Sequence, residues 1–176
     1  MKSIKELYRI GTGPSSSHTM GPRKAAEMFV ERHPDAASFK VTLYGSLAAT
    51  GKGHMTDVAI IDTLKTTAPV EIIWQPKVFL PFHPNGMTFK AFDAQKKKLD
   101  EWTVFSVGGG ALAEEGHDRT ATNDIYNMNT MSQILYWCEH TGRSYWEYVE
   151  QCEGPEIWDF LAEVWETMYA AIHRGL

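Results

Sequence analysis

Apolar positions along the chain recur at two different periods, and each change of period marks a new element. Between Arg23 and Arg32, Ala25, Ala26, Phe29 and Val30 fall at helical spacing. His33-Pro34-Asp35 ends that run, because the residue before a proline disfavours helical angles. Phe39, Val41 and Leu43 then alternate with Lys40, Thr42 and Tyr44, the period of a half-buried strand. From about Thr56 the helical spacing returns, with Val58, Ile61, Leu64 and Lys65 on one face and its edge. Glu71 to Trp74 reads as a short apolar strand. Val78 to Phe82 is an edge strand or no strand, because Pro76, Pro81 and Pro84 interrupt it. Met87, Phe89 and Ala91 alternate with Thr88, Lys90 and Phe92; Gln95 to Lys98 forms a solvated hairpin turn, and Trp102 to Val107 closes the strand series.

Polar residues from Glu114 to Asn129 predict a linker, and three helices follow. Thr130-x-x-Gln133 and Ser144-x-x-Glu147 are capping boxes for the first two. Gly142 ends the first, and the third runs from Gly154-Pro155 to Gly175. The order predicts an α+β fold: a mixed sheet with α-β-α-β-β-β order and helices on one face, then a C-terminal helical segment. The domain bounds that follow are 1–115 for the sheet domain, 116–129 for the linker and 130–176 for the helices. Ser3-x-x-Glu6 predicts a short capped helix with Ile4 and Leu7 inward. In the last helix Ile157, Phe160, Leu161, Val164, Met168 and Ile172 form a core stripe. Trp158, Trp165 and Tyr169 form a second stripe, expected to be partly exposed because a helix apolar on two sides needs cover on both.

The chain has 176 residues, 43% apolar and 22% charged, enough for one domain plus a helical appendage. A net charge of -5 with no basic stripe argues against nucleic acid as a partner. Apolar runs are too short to span a membrane, and the first residues lack a signal-peptide core, so a cytoplasmic protein is expected. Cys138 and Cys152 are too far apart for a CxxC motif and too few for a self-contained iron–sulfur site. They read as small apolar residues on helix faces.

Chemistry concentrates in four loops broken by glycine or proline. The first, Gly11-Thr-Gly-Pro-Ser-Ser-Ser-His-Thr-Met-Gly-Pro22, carries three serines and His18, and its two prolines are expected to exclude a continuous helix. It reads either as an anion cradle at a helix N-terminus or as a plain connector. The second, Tyr44-Gly-Ser-Leu-Ala-Ala-Thr-Gly-Lys-Gly-His-Met-Thr-Asp57, also precedes a helix. It fails as a P-loop, because five residues separate Gly45 from Gly51 and Gly53 replaces the metal-binding hydroxyl. The third is Leu80-Pro-Phe-His-Pro-Asn-Gly-Met87 and the fourth Ser106-Val-Gly-Gly-Gly110, which lacks dinucleotide-binding spacing. No HExxH and no histidine pair at zinc-ligand spacing occur. His18, His54 and His83 each lie in one of these loops. Singly each is a solvated or capping residue; converging at one sheet edge, they suit acid–base work near neutrality. Lys52 and Asp57 either tune His54 or are surface charges.

In wording and order the four loops resemble the N-terminal (β) domain of the iron–sulfur-dependent L-serine dehydratases, the L-serine ammonia-lyases. That resemblance implies a lyase of amino-acid metabolism feeding gluconeogenesis, which deaminates L-serine to pyruvate and ammonia. It further implies a [4Fe–4S] cluster held by a separate catalytic α domain, in cis or in trans, with no metal bound by this chain. Carried onto this sequence, it gives Ser15, Ser16, Ser17, His18, Lys52, Asn85, Gly108 and Gly109 as substrate-binding residues. It gives His54, His83 and Ser106 as catalytic, with His54 the base and the other two orienting the substrate. The helical tail resembles the start of the α domain. Hence a fragment of a longer enzyme or a separate β subunit is expected, inactive alone and homo-oligomeric when complete. Domains of this kind also resemble an allosteric substrate-binding domain of some 3-phosphoglycerate dehydrogenases, which implies a non-catalytic anion or serine sensor. A sensor needs donors and a catalytic half needs a titrating base, so the loop histidines favour the enzyme.

Overall fold

The computed structural model describes residues 1–116 and 124–176. Its contacts divide the chain into two units, Gly11–His117 and Met1–Ile10 with Asp118–Leu176.

The first unit is a five-stranded mixed sheet in the order β2-β1-β3-β4-β5. The strands are β1 (Ser38–Tyr44), β2 (Val70–Gln75), β3 (Gly86–Phe92), β4 (Lys98–Ser106) and β5 (Leu112–Ala113). β1 pairs in parallel with β2 and antiparallel with β3, and the remaining pairs are antiparallel. Alternation sends Phe39, Val41 and Leu43 to one face, where their neighbours in register are Ala91, Phe89 and Met87. Trp102 and Val104 of β4 extend the same buried row. The helices α1 (Gly21–Arg32), α2 (Gly45–Thr50) and α3 (Thr56–Leu64) contribute Ala25, Ala26, Phe29, Leu47, Ala48, Ile60 and Leu64 to this core. Phe29 sits at its centre, with ring centroids 5.4 Å from Phe89, 6.0 Å from Phe39 and 6.2 Å from Trp102. The opposite face carries the polar alternates: Lys40 pairs with Glu71, Lys90 with Glu101, and the Thr88 and Thr103 hydroxyls bond at 2.8 Å. The expected mixed α+β sheet is therefore found.

Local readings needed correction, first within the sheet unit. The serine loop is wound: Ser16–Met20 forms a π-helical turn that runs straight into α1. Pro22 does not stop this: its fixed φ suits the first turn of α1, and the His18 carbonyl, which its missing N–H would have met, accepts from Thr56 Oγ1 instead. Gly45–Thr50, read as glycine-rich loop, is the short helix α2, held by burial of Leu47 and Ala48. α3 turns Thr56, Ala59, Ile60 and Leu64 inward and leaves Val58 exposed, because the buried Thr56 sets its rotation. Between Val78 and Phe82 there is no strand; Phe82 instead packs its ring 4.7 Å from Phe105.

In the second unit α4 (Met131–Thr141) and α5 (Tyr145–Glu153) open with the expected capping boxes, and Gly142 closes α4 in a left-handed conformation. α6 spans Ile157–Gly175. Of its predicted core stripe only Ile157 is buried; Met168 and Ile172 are exposed, as are Trp158, Trp165 and Tyr169. Helical spacing marks an apolar face, but burial requires a neighbour, and α6 has one mainly at its first turn. The N-terminus makes a single 3-10 turn, Ile4–Glu6, with Leu7 exposed rather than inward. Part of the expected linker, residues 117–123, lies outside the described residues. Among the described residues no helix is long and apolar enough to cross a membrane.

The N-terminal turn belongs with the helices because Glu153, at the end of α5, grips it. Its buried carboxylate accepts from Ser3 Oγ at 2.6 Å, the Ile4 N–H at 2.7 Å and the Tyr126 hydroxyl at 2.6 Å. Burial pushes the Glu153 carboxyl up, but these donors together outweigh it and hold it below its usual range. Burial first, and then Glu153 itself, push the Tyr126 phenol up. Because the folded value of Glu153 is depressed, its contribution to stability is complete above the ordinary carboxylate range. It is lost as pH falls through the folded value. The protection factor of the Ile4 amide in hydrogen exchange should therefore drop on acidification. Glu153→Gln should abolish that pH dependence and lower the helical unit's stability by about 1–3 kcal/mol. Unchanged Ile4 protection in the variant would show that the carboxylate is not the clamp.

Candidate functional site

The loops meet where β1 ends and β3 begins. Tyr44 hands over to α2 through Gly45, whose φ of +47° is left-handed. A Cβ at Gly45 would lie 2.6 Å from the Pro84 carbonyl oxygen and 2.9 Å from the Phe79 ring, so the third loop packs directly on the start of α2. Two backbone bonds fasten it there: the Gly45 N–H donates to Val78 O at 2.8 Å and the Ser46 N–H to Pro84 O at 3.1 Å. At the other end of α2, Gly51 lets the chain pass close to its own helix. A Cβ at Gly51 would stand 2.2 Å from Leu47 O and 2.9 Å from the Trp74 ring. The chain then turns through Lys52, Gly53 and His54 before α3 begins.

That turn sets His54 against the first loop. The His18 and His54 rings lie 4.9 Å apart between centroids. His18 is held at both nitrogens, Nδ1 to Ser17 Oγ at 2.9 Å and Nε2 to Ser46 Oγ at 3.1 Å, while its own N–H donates to Ser15 Oγ at 3.2 Å. Burial, and after it the neighbouring His54, lower the His18 pKa; hydrogen bonding at Ser46 works the other way. His18 is accordingly biased toward the neutral imidazole. His54 Nδ1 lies 3.0 Å from the Thr50 carbonyl oxygen. A carbonyl can only accept, so Nδ1 carries a hydrogen, and in the neutral ring the lone pair is on Nε2.

Threonines tie the two histidine loops together through the backbone. Thr19 Oγ1 donates to the His54 carbonyl at 2.6 Å, and Thr56 Oγ1 donates to the His18 carbonyl at 2.5 Å. The third and fourth loops join in turn. The Asn85 N–H donates to His83 Nδ1 at 3.1 Å, which places the proton of neutral His83 on Nε2. Asn85 Nδ2 donates to the Ser106 carbonyl at 3.2 Å, and the Ser106 N–H returns a bond to Asn85 O at 3.0 Å. Ser106 is fully buried against Gly21, where a Cβ would sit 2.3 Å from its Oγ. Ser106 Oγ and Asn85 Oδ1 are buried oxygens with no hydrogen-bond partner among the described residues.

Ser15, Ser16, Ser17, His18, His54, His83, Asn85 and Ser106 thus belong to one connected set, with Ser16 joined through its carbonyl, which accepts from the Gly21 N–H. Lys52 extends elsewhere, its ammonium 5.6 Å from the centre of the Trp74 ring. Asp57 lies in the first turn of α3. Gly108 and Gly109, both at positive φ, turn the chain from β4 toward β5. Ser46, Thr19 and Thr56 escaped the sequence reading. Their nearness to glycine and histidine was visible, but their partners lie 28 to 38 positions away and no local spacing reports them. Among the described residues no three His, Cys, Asp or Glu side chains group to hold a metal ion.

A family model for the serine dehydratase beta chain matches residues 3–75 and 62–117. The L-serine dehydratase of Streptomyces coelicolor is 32% identical, across 99% of this chain and 50% of its own length. L-serine dehydratase 1 of Escherichia coli is 32% identical, across 100% of this chain and 49% of its own. In Mycobacterium bovis the L-serine dehydratase is 37% identical over 64% of this chain. The chain spans about half the length of the first two.

The close approach at Gly51 is testable without reference to any activity. Gly51→Ala drives a methyl group into the Leu47 carbonyl and should cost about 1–3 kcal/mol in urea unfolding, the scale of overpacking. It should also weaken ring–ring contacts between His18 and His54 in NMR. Wild-type stability together with wild-type histidine contacts would mean that α2 can yield at no cost.

Proposed function

The chain belongs to the serine dehydratase beta chain family, and on that footing we propose that it forms one wall of an L-serine dehydratase active site. The observation that carries this is the tautomer of His54. Thr50 commits Nδ1 to donation, so the neutral ring presents a basic Nε2 beside a second, largely neutral imidazole. L-serine must lose a weakly acidic α-proton, and Nε2 is the acceptor. The electron pair left on Cα forms the Cα=Cβ bond as the β-hydroxyl departs. The resulting enamine tautomerises and hydrolyses to pyruvate and ammonia.

His83, with its proton on Nε2, and the hydroxyls of Ser15, Ser16 and Ser17 orient the substrate's carboxylate and amine, together with His18 and Asn85, whereas the Lys52 ammonium lies over Trp74 and is left out of this assignment. Gly108 and Gly109 allow close backbone approach. Ser106, sealed from solvent, acts by holding Asn85 and is a positioning residue. The [4Fe–4S] cluster implied by the resemblance does not fit the described residues here. Cys138 lies on α4 and Cys152 on α5, and no metal-binding group of three forms among the described residues. The cluster is assigned to an α domain, joined in cis or in trans, and this chain alone is inactive. We further assign the complete enzyme to the cytoplasm, to gluconeogenic amino-acid metabolism and to a homo-oligomer.

In the assembled dehydratase, His54→Ala should lower kcat by about 10²–10⁴-fold, the scale of a lost general base. Cluster absorption should be unchanged and a serine-competitive inhibitor should still bind. Retained kcat with altered serine affinity or cooperativity would replace the base by a regulatory residue and favour a serine or anion sensor.

A further inference from the structure

We infer that Thr19 and Thr56 are positioning residues that set the spacing of the two imidazoles by strapping each histidine's backbone to the other loop. Its bearing on catalysis rests on the reading of His54 as base; the strap itself rests on geometry alone. Thr19 Oγ1 gives its hydrogen to the His54 carbonyl and accepts from the Ser15 N–H at 3.2 Å, so it ties the π-turn internally as well as across. Thr56 Oγ1 gives its hydrogen to the His18 carbonyl. Both side chains are buried.

The two bonds run in opposite directions between the same two segments. One such bond is a pivot about which the segments can rotate; two fix both distance and rotation. A threonine hydroxyl is one bond beyond Cβ, so each strap constrains backbones rather than the ends of flexible side chains. The donors also meet a need created by the chain. Pro22 has no N–H to offer the His18 carbonyl four residues back. The His54 carbonyl precedes α3, next to Met55 at φ 55°. The ring contacts cannot replace the straps. Ser46 and Ser17 hold the His18 ring, and Thr50 holds the His54 ring within its own segment, but none of these links the histidine backbones.

The alternative is that both threonines merely satisfy buried carbonyls, and the test has to move something that role would not. Thr→Val keeps shape and removes the donor, whereas Thr→Ser keeps the donor. Of the groups against the His18 ring among the described residues (Ser17, Ser46 and His54), only His54 can take up a positive charge. In NMR titrations of this chain, Thr56→Val and Thr19→Val should each raise the His18 midpoint, as His54 moves away. They should also reduce His18–His54 ring contacts. Thr56→Ser and Thr19→Ser should restore both. In the assembled dehydratase each valine variant should lower kcat by about 10–100-fold with KM little changed, the scale of a misplaced catalytic group. Serine should rescue it.

If Thr56→Val does not fold, Thr19→Val carries the same test from the other end. A moved midpoint with intact kcat keeps the strap and overturns His54 as the base. Unmoved midpoints and ring contacts in folded valine variants overturn the strap, whatever the activity.

Discussion

A proline cannot donate a hydrogen bond, and at position 22 that one missing N–H shapes the whole end of the sheet domain. The His18 carbonyl four residues earlier loses the partner that an unbroken α-helix would supply. The chain answers by winding Ser16–Met20 as a π-turn and by handing the carbonyl to Thr56 at the start of α3. Two segments distant in sequence are thereby joined at the residues that carry the imidazoles. The rotation of α3 follows from the same bond: with Thr56 inward, Ala59, Ile60 and Leu64 must be inward too, and Val58 must face out.

This arrangement needs a rigid base, and the sheet supplies it. Phe29 packs against Phe39, Phe89 and Trp102, so α1 is fixed to three strands at once. The π-turn is the continuation of that helix, and its position is therefore set by a core made of large buried side chains. On the other side β1 feeds α2 through Gly45, and β3 begins immediately after Asn85. Polar groups projecting from loops thus hang from element ends whose places are decided by apolar packing.

Elements with strong periodic patterns were legible from sequence. Phe39-Val41-Leu43 and Met87-Phe89-Ala91 announced their strands, and Thr130-Gln133 and Ser144-Glu147 announced their helices, because alternation and capping are local properties. Winding within the glycine-rich loops was not. Prolines and glycines suggest breaks, yet Pro22 falls in a first turn and Gly45–Thr50 is too short for a periodic signal. The α6 stripe failed for a different reason. Spacing says which residues share a face but not whether anything lies against it, and Met168 and Ile172 remain exposed. Within the site, the histidines could be chosen by residue type and loop placement. Ser46, Thr19 and Thr56 could not, since a hydroxyl beside glycine or at a helix start has ordinary local explanations.

The electrostatics of the histidine pair follow from these distances rather than from any nearby ion pair. Two imidazoles with centroids 4.9 Å apart disfavour double protonation, and burial together with the neighbouring His54 lowers the His18 pKa. His18 bridges the hydroxyls of Ser17 and Ser46. His54 keeps one nitrogen tied to Thr50 and the other available. A cationic neighbour on Lys52 is not required for this, and its ammonium lies over Trp74 instead. The placement of the two rings is here a consequence of backbone geometry, in which one proline, two threonines and one carbonyl set how the imidazoles face each other.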